Sequence, residues 1–328
     1  MRAAIVTRPG GPEVFAIRDM PDPSFAADEV LVAVHACGVS RPDLGLRERG
    51  GTPDGGIAAA IPGVEIAGTI EALGAAVKDW HVGDRVMVRT SGGGYGSKLA
   101  VHAGLLVPIP AALDFDQAAA VPDAFWTAFD ALFLQAHLQP GESVLIHAVG
   151  SGVGTAAVQL ASAAGCRVFG TARSDQKLAK ARELGLNVAI HAGEQPFADV
   201  IADETAGQGI DVILDLVGGS YWTPNLRSAA LMGRLLVIGT LGGATVETDL
   251  RLLQGRRLRI FGTNLQRRTV AERVLLADEV RRKVVPLFER RAVSPVVDRV
   301  YPLAEVAGAH RRMESNEAFG KLVLRHGP

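Results

Sequence analysis

The chain has 328 residues, 48% of them hydrophobic and 21% charged, with a formal net charge of -1. That balance fits a globular protein of two ordinary domains and gives no bulk attraction to nucleic acid or to an anionic membrane. Two cysteines, Cys37 and Cys166, argue against a disulfide framework, and with no secretion signal and no apolar run of membrane-spanning length, a cytoplasmic setting is expected.

The first third reads as short strands and turns. Ala3–Val6 and Val14–Ile17 flank the turn Pro9-Gly10-Gly11-Pro12, and Val30–Ala36 is a longer strand, apolar on both sides. Arg41–Arg49 reads as a short helix and Arg49–Ile61, rich in Gly, Pro and Ala, as a loop. Val64–Gly74 is strand again, and Val82-Gly83-Asp84-Arg85 is a hairpin turn into Val86–Val88. Such a start suits a small β-barrel.

From Gln117 the period becomes helical, through Ala118–Ala120 and again from Trp126 to His137. Strands are expected at 143–147, 166–170, 188–190, 210–214, 235–239 and 258–261, with helices between. That alternation implies an α/β doubly wound parallel sheet. A long helix from Thr269 to Arg290, rich in Arg and Glu, reads as a solvated face. Val296–Tyr301 returns to barrel character, and Lys321–Leu324 is the last strand. The expected boundaries are 1–121 with 291–328 for the barrel domain and 122–290 for the α/β domain.

One stretch organises the chain. The buried run Val144-Leu145-Ile146 leads into a glycine turn, Gly150-Ser151-Gly152-Val153-Gly154, and then into a helix of small residues, Thr155–Ala161. Strand, glycine turn and helix are the context of a dinucleotide site: glycines admit the pyrophosphate backbone, and the helix N-terminus offers free N–H groups and a positive dipole end. The spacing is not a strict G-x-G-x-x-G, and a tight turn packing helix on sheet is the alternative. The next strand sharpens the reading. NAD sites place Asp or Glu at its end to hold the ribose hydroxyls, whereas this chain has Arg173 and Ser174, with Lys177 a turn later. Those groups suit a 2′-phosphate, and Asp175, one step into the next helix, is explained by the helix dipole. NADPH is therefore the expected cofactor. The turns at Gly218 and at Gly239-Thr240 end strands at the same edge.

Several segments resemble the medium-chain dehydrogenase/reductases, and among them the zinc-free, zeta-crystallin-like NADPH:quinone oxidoreductases. They are Gly63-Val-Glu-Ile-Ala-Gly68, Val82-Gly-Asp-Arg-Val86, Gly152–Gln159, Gly218–Trp222, Asp298–Pro302 and Gly320-Lys321. Gly218–Trp222 is similar to the tumour-suppressor-inducible animal members in particular. The resemblance implies a GroES-like barrel catalytic domain around a Rossmann NADP(H) domain, usually as a homodimer. It also implies hydride transfer to a small-molecule quinone or other α,β-unsaturated carbonyl.

Zinc relatives carry Gly-His-Glu where this chain has Gly63-Val64-Glu65, and a ligand Cys where it has Ser40. A catalytic zinc needs three protein ligands, so no metal is expected. Ser40 also stands where the family has a substrate-side Asn, and Thr52 where it has Tyr. Tyr95, in Gly92-Gly-Gly-Tyr-Gly96, is then the one phenol of the N-terminal segment. It is read either as the donor that polarises the acceptor carbonyl, with Ser40 and Thr52 assisting, or as a loop aromatic packed on the barrel. Arg41 and Trp126 are substrate-side candidates, and Thr127 is a nicotinamide-side contact. An enoyl-thioester reductase and an NADPH-binding structural or regulatory protein are the competing functions.

Overall fold

The structure, a computed structural model, describes residues 1–50 and 61–327. The chain folds as two compact units, Met1–Trp126 with Arg268–Pro328, and Thr127–Arg267.

The first unit carries β1 (Arg2–Val6), β2 (Phe15–Asp19), β3 (Glu29–Val39), β4 (Glu65–Leu73), β5 (Arg85–Arg89), β6 (Lys98–His102) and β7 (Val107–Pro108). The hairpin between β4 and β5 turns at Gly83, whose φ of 94° is a left-handed value that favours glycine. The second unit carries β8 (Ser143–Ile146), β9 (Arg167–Ala172), β10 (Val188–His191), β11 (Ile210–Asp215), β12 (Ala229–Val237) and β13 (Arg259–Gly262). The chain then returns to the first unit for β14 (Val297–Pro302) and β15 (Lys321–Arg325).

In the first unit β1 and β2 form a ribbon, and a seven-stranded sheet runs β14-β15-β3-β4-β5-β7 with β6 paired to β3. β3 is long because Val30, Val32, Ala36, Cys37 and Val39 are all fully buried, so it serves neighbours on both sides. The C-terminal strand β15 pairs antiparallel with the end of β3, Leu322 opposite Val39. That pairing sets Lys321 beside Ser40.

In the second unit the order is β10-β9-β8-β11-β12-β13, parallel throughout. This is the doubly wound order in which ligands bind beyond the carboxyl ends of the strands. Val144, Leu145 and Ile146 of β8 are fully buried, as a central parallel strand requires. β12 begins at Ala229, six residues before the expected 235, with a register shift between its pairings to Ile210 and Val212 of β11.

Two helical expectations change in detail. The stretch from Trp126 is a helix over Pro122–Phe129 continued by a π-helical turn over Asp130–Gln135. The single helix expected over Thr269–Arg290 is two, Val270–Lys283 and Val285–Glu289, because Pro286 starts a new helix and cannot continue the old one. The first of these belongs to the compact unit of residues 1–126 rather than to the α/β unit. Arg281 there donates to the carbonyls of Leu106 (2.9 Å) and Gly104 (2.7 Å). No helix among the described residues is long and apolar enough to cross a membrane.

Candidate active site

In the second unit, β8 is followed by His147 and a turn through Ala148, whose φ of 51° is unusual for a residue with a Cβ. Gly150 follows, and Ser151 caps the helix Gly152–Ala163, its Oγ accepting from Gly154 N at 3.0 Å. A Cβ on Gly154 would collide with the carbonyl of Ala148, so only glycine fits this turn. Gly152 and Val153 are half-buried at the mouth. The turn, the free N–H groups and the absence of side-chain bulk make a fitting cradle for a dinucleotide pyrophosphate. Gly218 has a φ of 81°, and a Cβ on Gly239 would sit 2.6 Å from Leu216 O. Both line the same carboxyl edge of the sheet, with Thr240 exposed beside them. Thr127 lies within the helix Pro122–Phe129 and is 9% exposed.

At the end of β9, Arg173 is exposed and Ser174 is the N-cap of Asp175–Glu183. The Ser174 hydroxyl makes no capping hydrogen bond, which leaves its capping role unused. Lys177 follows one turn on. Asp175 gathers with His191 and Glu194, their donor atoms within 4.8 Å of one another. The rim is therefore mixed in sign.

Sequence reasoning missed the support beneath this edge. His147 is fully buried between Thr171 Oγ1 (2.9 Å from Nδ1) and Asn225 Oδ1 (2.7 Å from Nε2). The Asn225 amide donates to Asp215 Oδ2 at 3.1 Å, and Asp215 Oδ1 accepts from the N–H groups of Val217 (2.8 Å) and Gly218 (2.9 Å). The amide orientation fixes the tautomer: Nε2 carries the proton and Nδ1 accepts from Thr171. Burial pushes His147 below its ordinary pKa despite Asp215, so it stays neutral. The network ties β8, β9 and β11 to the Gly218 turn. A histidine in the strand end was the visible signal, but its partners are far apart in sequence.

In the first unit, Ser40 follows β3 as the N-cap residue of the helix Arg41–Arg49 and is 2% exposed. Lys321 Nζ donates to Ser40 Oγ (2.6 Å) and Val39 O (2.8 Å) and pairs with Glu65 Oε1 (2.5 Å). Ser40 Oγ is also 3.1 Å from Glu65 Oε1. The other Glu65 oxygen accepts from Asp123 N at 2.7 Å, and Arg89 Nε is 3.0 Å from Asp123 Oδ1. Burial alone would push the Lys321 ammonium down, but Glu65 and Asp123 outweigh it and hold its pKa above the usual lysine value. Burial pushes the Glu65 carboxyl up, and Lys321 opposes that. Arg89 and Lys321 together overcome burial at Asp123 and hold it below the usual carboxylate range.

This donor set does not fit a catalytic zinc. Val64 offers no ligand atom, Ser40 offers only a hydroxyl, and an ammonium already contacts the two oxygens that remain.

Tyr95 is placed otherwise than as a substrate-facing donor. It is fully buried in the barrel core. Its hydroxyl lies 2.9 Å from His310 Nε2 and 3.4 Å from Asp43 Oδ2. Arg47 Nη1 reaches His310 Nδ1 at 3.3 Å, so Nδ1 accepts, Nε2–H donates to the phenol, and the phenol donates to Asp43. Asp43 also accepts from Ser40 N and Gly63 N, both at 2.8 Å. The packing alternative holds, and the polarising role is withdrawn from Tyr95. Thr52 lies outside the described residues. Arg41 is exposed at the start of the helix Arg41–Arg49 and donates to Asn316 Oδ1. Trp126 is 3% exposed, and its indole N–H is buried with no hydrogen-bond partner among the described residues. A buried orphan donor is costly unless a ligand completes it. Cys37 is fully buried, and burial pushes its thiol well above the ordinary value, as for a structural thiol.

Known proteins resemble the chain from end to end. Residues 26–111 match the alcohol dehydrogenase GroES-like domain and residues 152–279 the zinc-binding dehydrogenase domain. The quinone oxidoreductase of Rattus norvegicus is 33% identical over 99% of this chain and 97% of its own length. Among solved structures, the CurK enoyl reductase superposes with a TM-score of 0.88 at 29% identity, covering 99% of this chain and 98% of its own. A mycobacterial protein complexed with NADPH has a TM-score of 0.87 at 28% identity, covering 99% of this chain and 100% of its own.

Proposed function

The chain belongs to the medium-chain dehydrogenase/reductase superfamily and is an oxidoreductase of that type, and on that premise we propose that it transfers hydride from NADPH to a quinone or another α,β-unsaturated carbonyl without a metal. Reduced nicotinamide, when bound, supplies the hydride. Gly150, Ser151, Gly152, Val153 and Gly154 would hold the pyrophosphate, and Gly218, Gly239, Thr240 and Thr127 would line the remainder of the cofactor. Arg173, Ser174 and Lys177 would hold the 2′-phosphate, which accepts several charge-assisted bonds. Ser40 takes the donor role. Lys321 donates to its oxygen, and the single hydroxyl proton, which rests on Glu65 Oε1 at 3.1 Å, would turn to an oxygen that gains charge as hydride reaches the conjugated carbon. The Trp126 indole N–H is a second donor in search of an acceptor.

The observation that carries the cofactor reading is the strand end of β9. Exposed Arg173 and the uncommitted capping hydroxyl of Ser174 stand where an NAD site has its ribose-binding acid. For the acceptor class, the support is the likeness to quinone oxidoreductases together with a donor set unsuited to zinc, since conjugated acceptors need no Lewis acid. The likeness to CurK favours a second reading, reduction of an enoyl thioester. An NADPH-binding regulatory role is the third. Oxidation of NADPH and NADH, followed over a panel of quinones, enones and enoyl thioesters, separates them. Turnover with NADPH on quinones or enones is the expected result. Turnover on thioesters alone selects the second reading, and tight NADPH binding without turnover selects the third. A homodimer paired through the edge strand β13 and a cytoplasmic setting complete the proposal.

A further inference from the structure

The seat between β3, β4 and β15 is built for a cation, and the chain fills it from within. Three oxygens converge there: the carbonyl of Val39, the hydroxyl of Ser40 and a carboxylate oxygen of Glu65. Glu65 is fully buried and Ser40 is 2% exposed. A Cβ on Gly38 would collide with the Glu65 carboxylate, so glycine at that position is what admits the acid to the seat. The Asp123 carboxylate adds negative charge at its edge, where Arg89 takes up one oxygen at 3.0 Å. An ammonium has three N–H donors, and Lys321 places them on these three oxygens at 2.8, 2.6 and 2.5 Å. Hard divalent cations take carboxylate, carbonyl and hydroxyl oxygens at about 2.0–2.6 Å. Ammonium and metal would therefore compete for the same oxygens.

We propose that Lys321 is a tethered cation: its ammonium occupies an oxygen-lined cation seat formed by Val39, Ser40 and Glu65, holds the Ser40 hydroxyl in place, and keeps inorganic cations out. Ser40 and Val64 supply no zinc-type ligand, and Lys321 supplies the positive charge the buried carboxylates need. Neutralisation by lysine makes the buried Glu65 tolerable: removing either partner strands the other in an apolar interior. The seat works in this way whichever acceptor the enzyme reduces.

The test is cation rescue. Lys321→Ala should lower the thermal midpoint and open a space lined by the same oxygens. Manganese, ammonium or methylammonium chloride at millimolar concentration should then raise the variant's midpoint by about 3 °C or more, while the wild-type midpoint stays put. Tetramethylammonium chloride at equal ionic strength, too large for the seat, should do nothing. A variant that gains nothing beyond that control, or a wild-type protein that takes up manganese as readily, overturns the proposal. Where Lys321→Ala does not fold, Lys321→Met and Lys321→Met/Glu65→Gln decide it. The double variant should be the more stable of the two, because the charge left stranded by Lys321→Met is gone. Equal or lower stability of the double variant contradicts the tethered cation.

Discussion

The phenol of Tyr95 and the imidazole of His310 meet at 2.9 Å inside the barrel core, each fully buried. The bond completes a directed chain from Arg47 through His310 and Tyr95 to Asp43, which also holds the backbone N–H groups of Ser40 and Gly63. Tyr95→Phe removes the phenol oxygen and leaves the His310 donor unpaired. The expected cost is about 1–3 kcal/mol of stability, with turnover within about twofold of wild type, less than about 0.4 kcal/mol. Urea unfolding and steady-state NADPH oxidation read the two effects separately. A large loss of turnover with unchanged stability returns Tyr95 to the catalytic set.

The same core sets an acid sensitivity. Burial and then Arg47 push His310 down to about 3 from an ordinary 6.5, and burial pushes His326 down to about 4. The unfolded chain therefore binds more protons than the folded one between these values and 6.5, and stability falls as pH falls through that window. Asp43 works in the opposite sense. Burial raises it from 3.8 to about 7, so its contribution is full below 3.8 and is lost as pH rises through 7. His310→Gln should flatten the acid-side slope by up to about 1.4 kcal/mol per pH unit, and Asp43→Asn should steepen it. Urea midpoints measured from pH 4 to pH 7 check both signs.

Much of this is legible in the chain. The six parallel strands follow from apolar runs between turns, and the glycine turn before Gly152–Ala163 places the cofactor edge. Helix boundaries are less so: the break at Val284 depends on Pro286, and the helix Val270–Lys283 joins the barrel unit through Arg281, whose hydrogen bond to Leu106 spans 175 residues. The site is half legible. Ser40, Val64 and Glu65 read as a lost zinc site, but Lys321 is 281 residues from Ser40 and meets it only because β15 pairs with β3. Tyr95 misleads for the same reason. A lone phenol in a glycine loop suggests a donor, and only the fold reveals His310 and Asp43 as its partners.

Cofactor choice rests on one strand end. Replacing Arg173 and Lys177 together by Ala should weaken NADPH binding by at least about tenfold, as expected for loss of charge-assisted bonds worth about 1.5–3 kcal/mol each. NADH binding should change little. Fluorescence titration with both nucleotides checks it, and equal weakening of the two would remove the 2′-phosphate assignment.

Assembly should follow the sheet edge. Among the described residues β13 pairs only with β12, and Ile260 in it is 37% exposed. An apolar edge strand invites pairing, and a two-fold copy of itself would close it. Sedimentation at micromolar concentration should give a dimer, and Ile260→Pro, which removes an edge N–H, should shift it toward monomer. A wild-type monomer contradicts the expectation.

Metal-free, NADPH-driven reduction is decided by one preparation. Protein purified without chelator is assayed for NADPH oxidation on the best quinone or enone, its zinc content is measured on the same sample, and a chelator is added during turnover. The expected result is well below one zinc per chain, turnover with NADPH that exceeds turnover with NADH, and no loss on chelation. Stoichiometric zinc with activity lost to the chelator, or reduction that proceeds equally well with NADH, would contradict it.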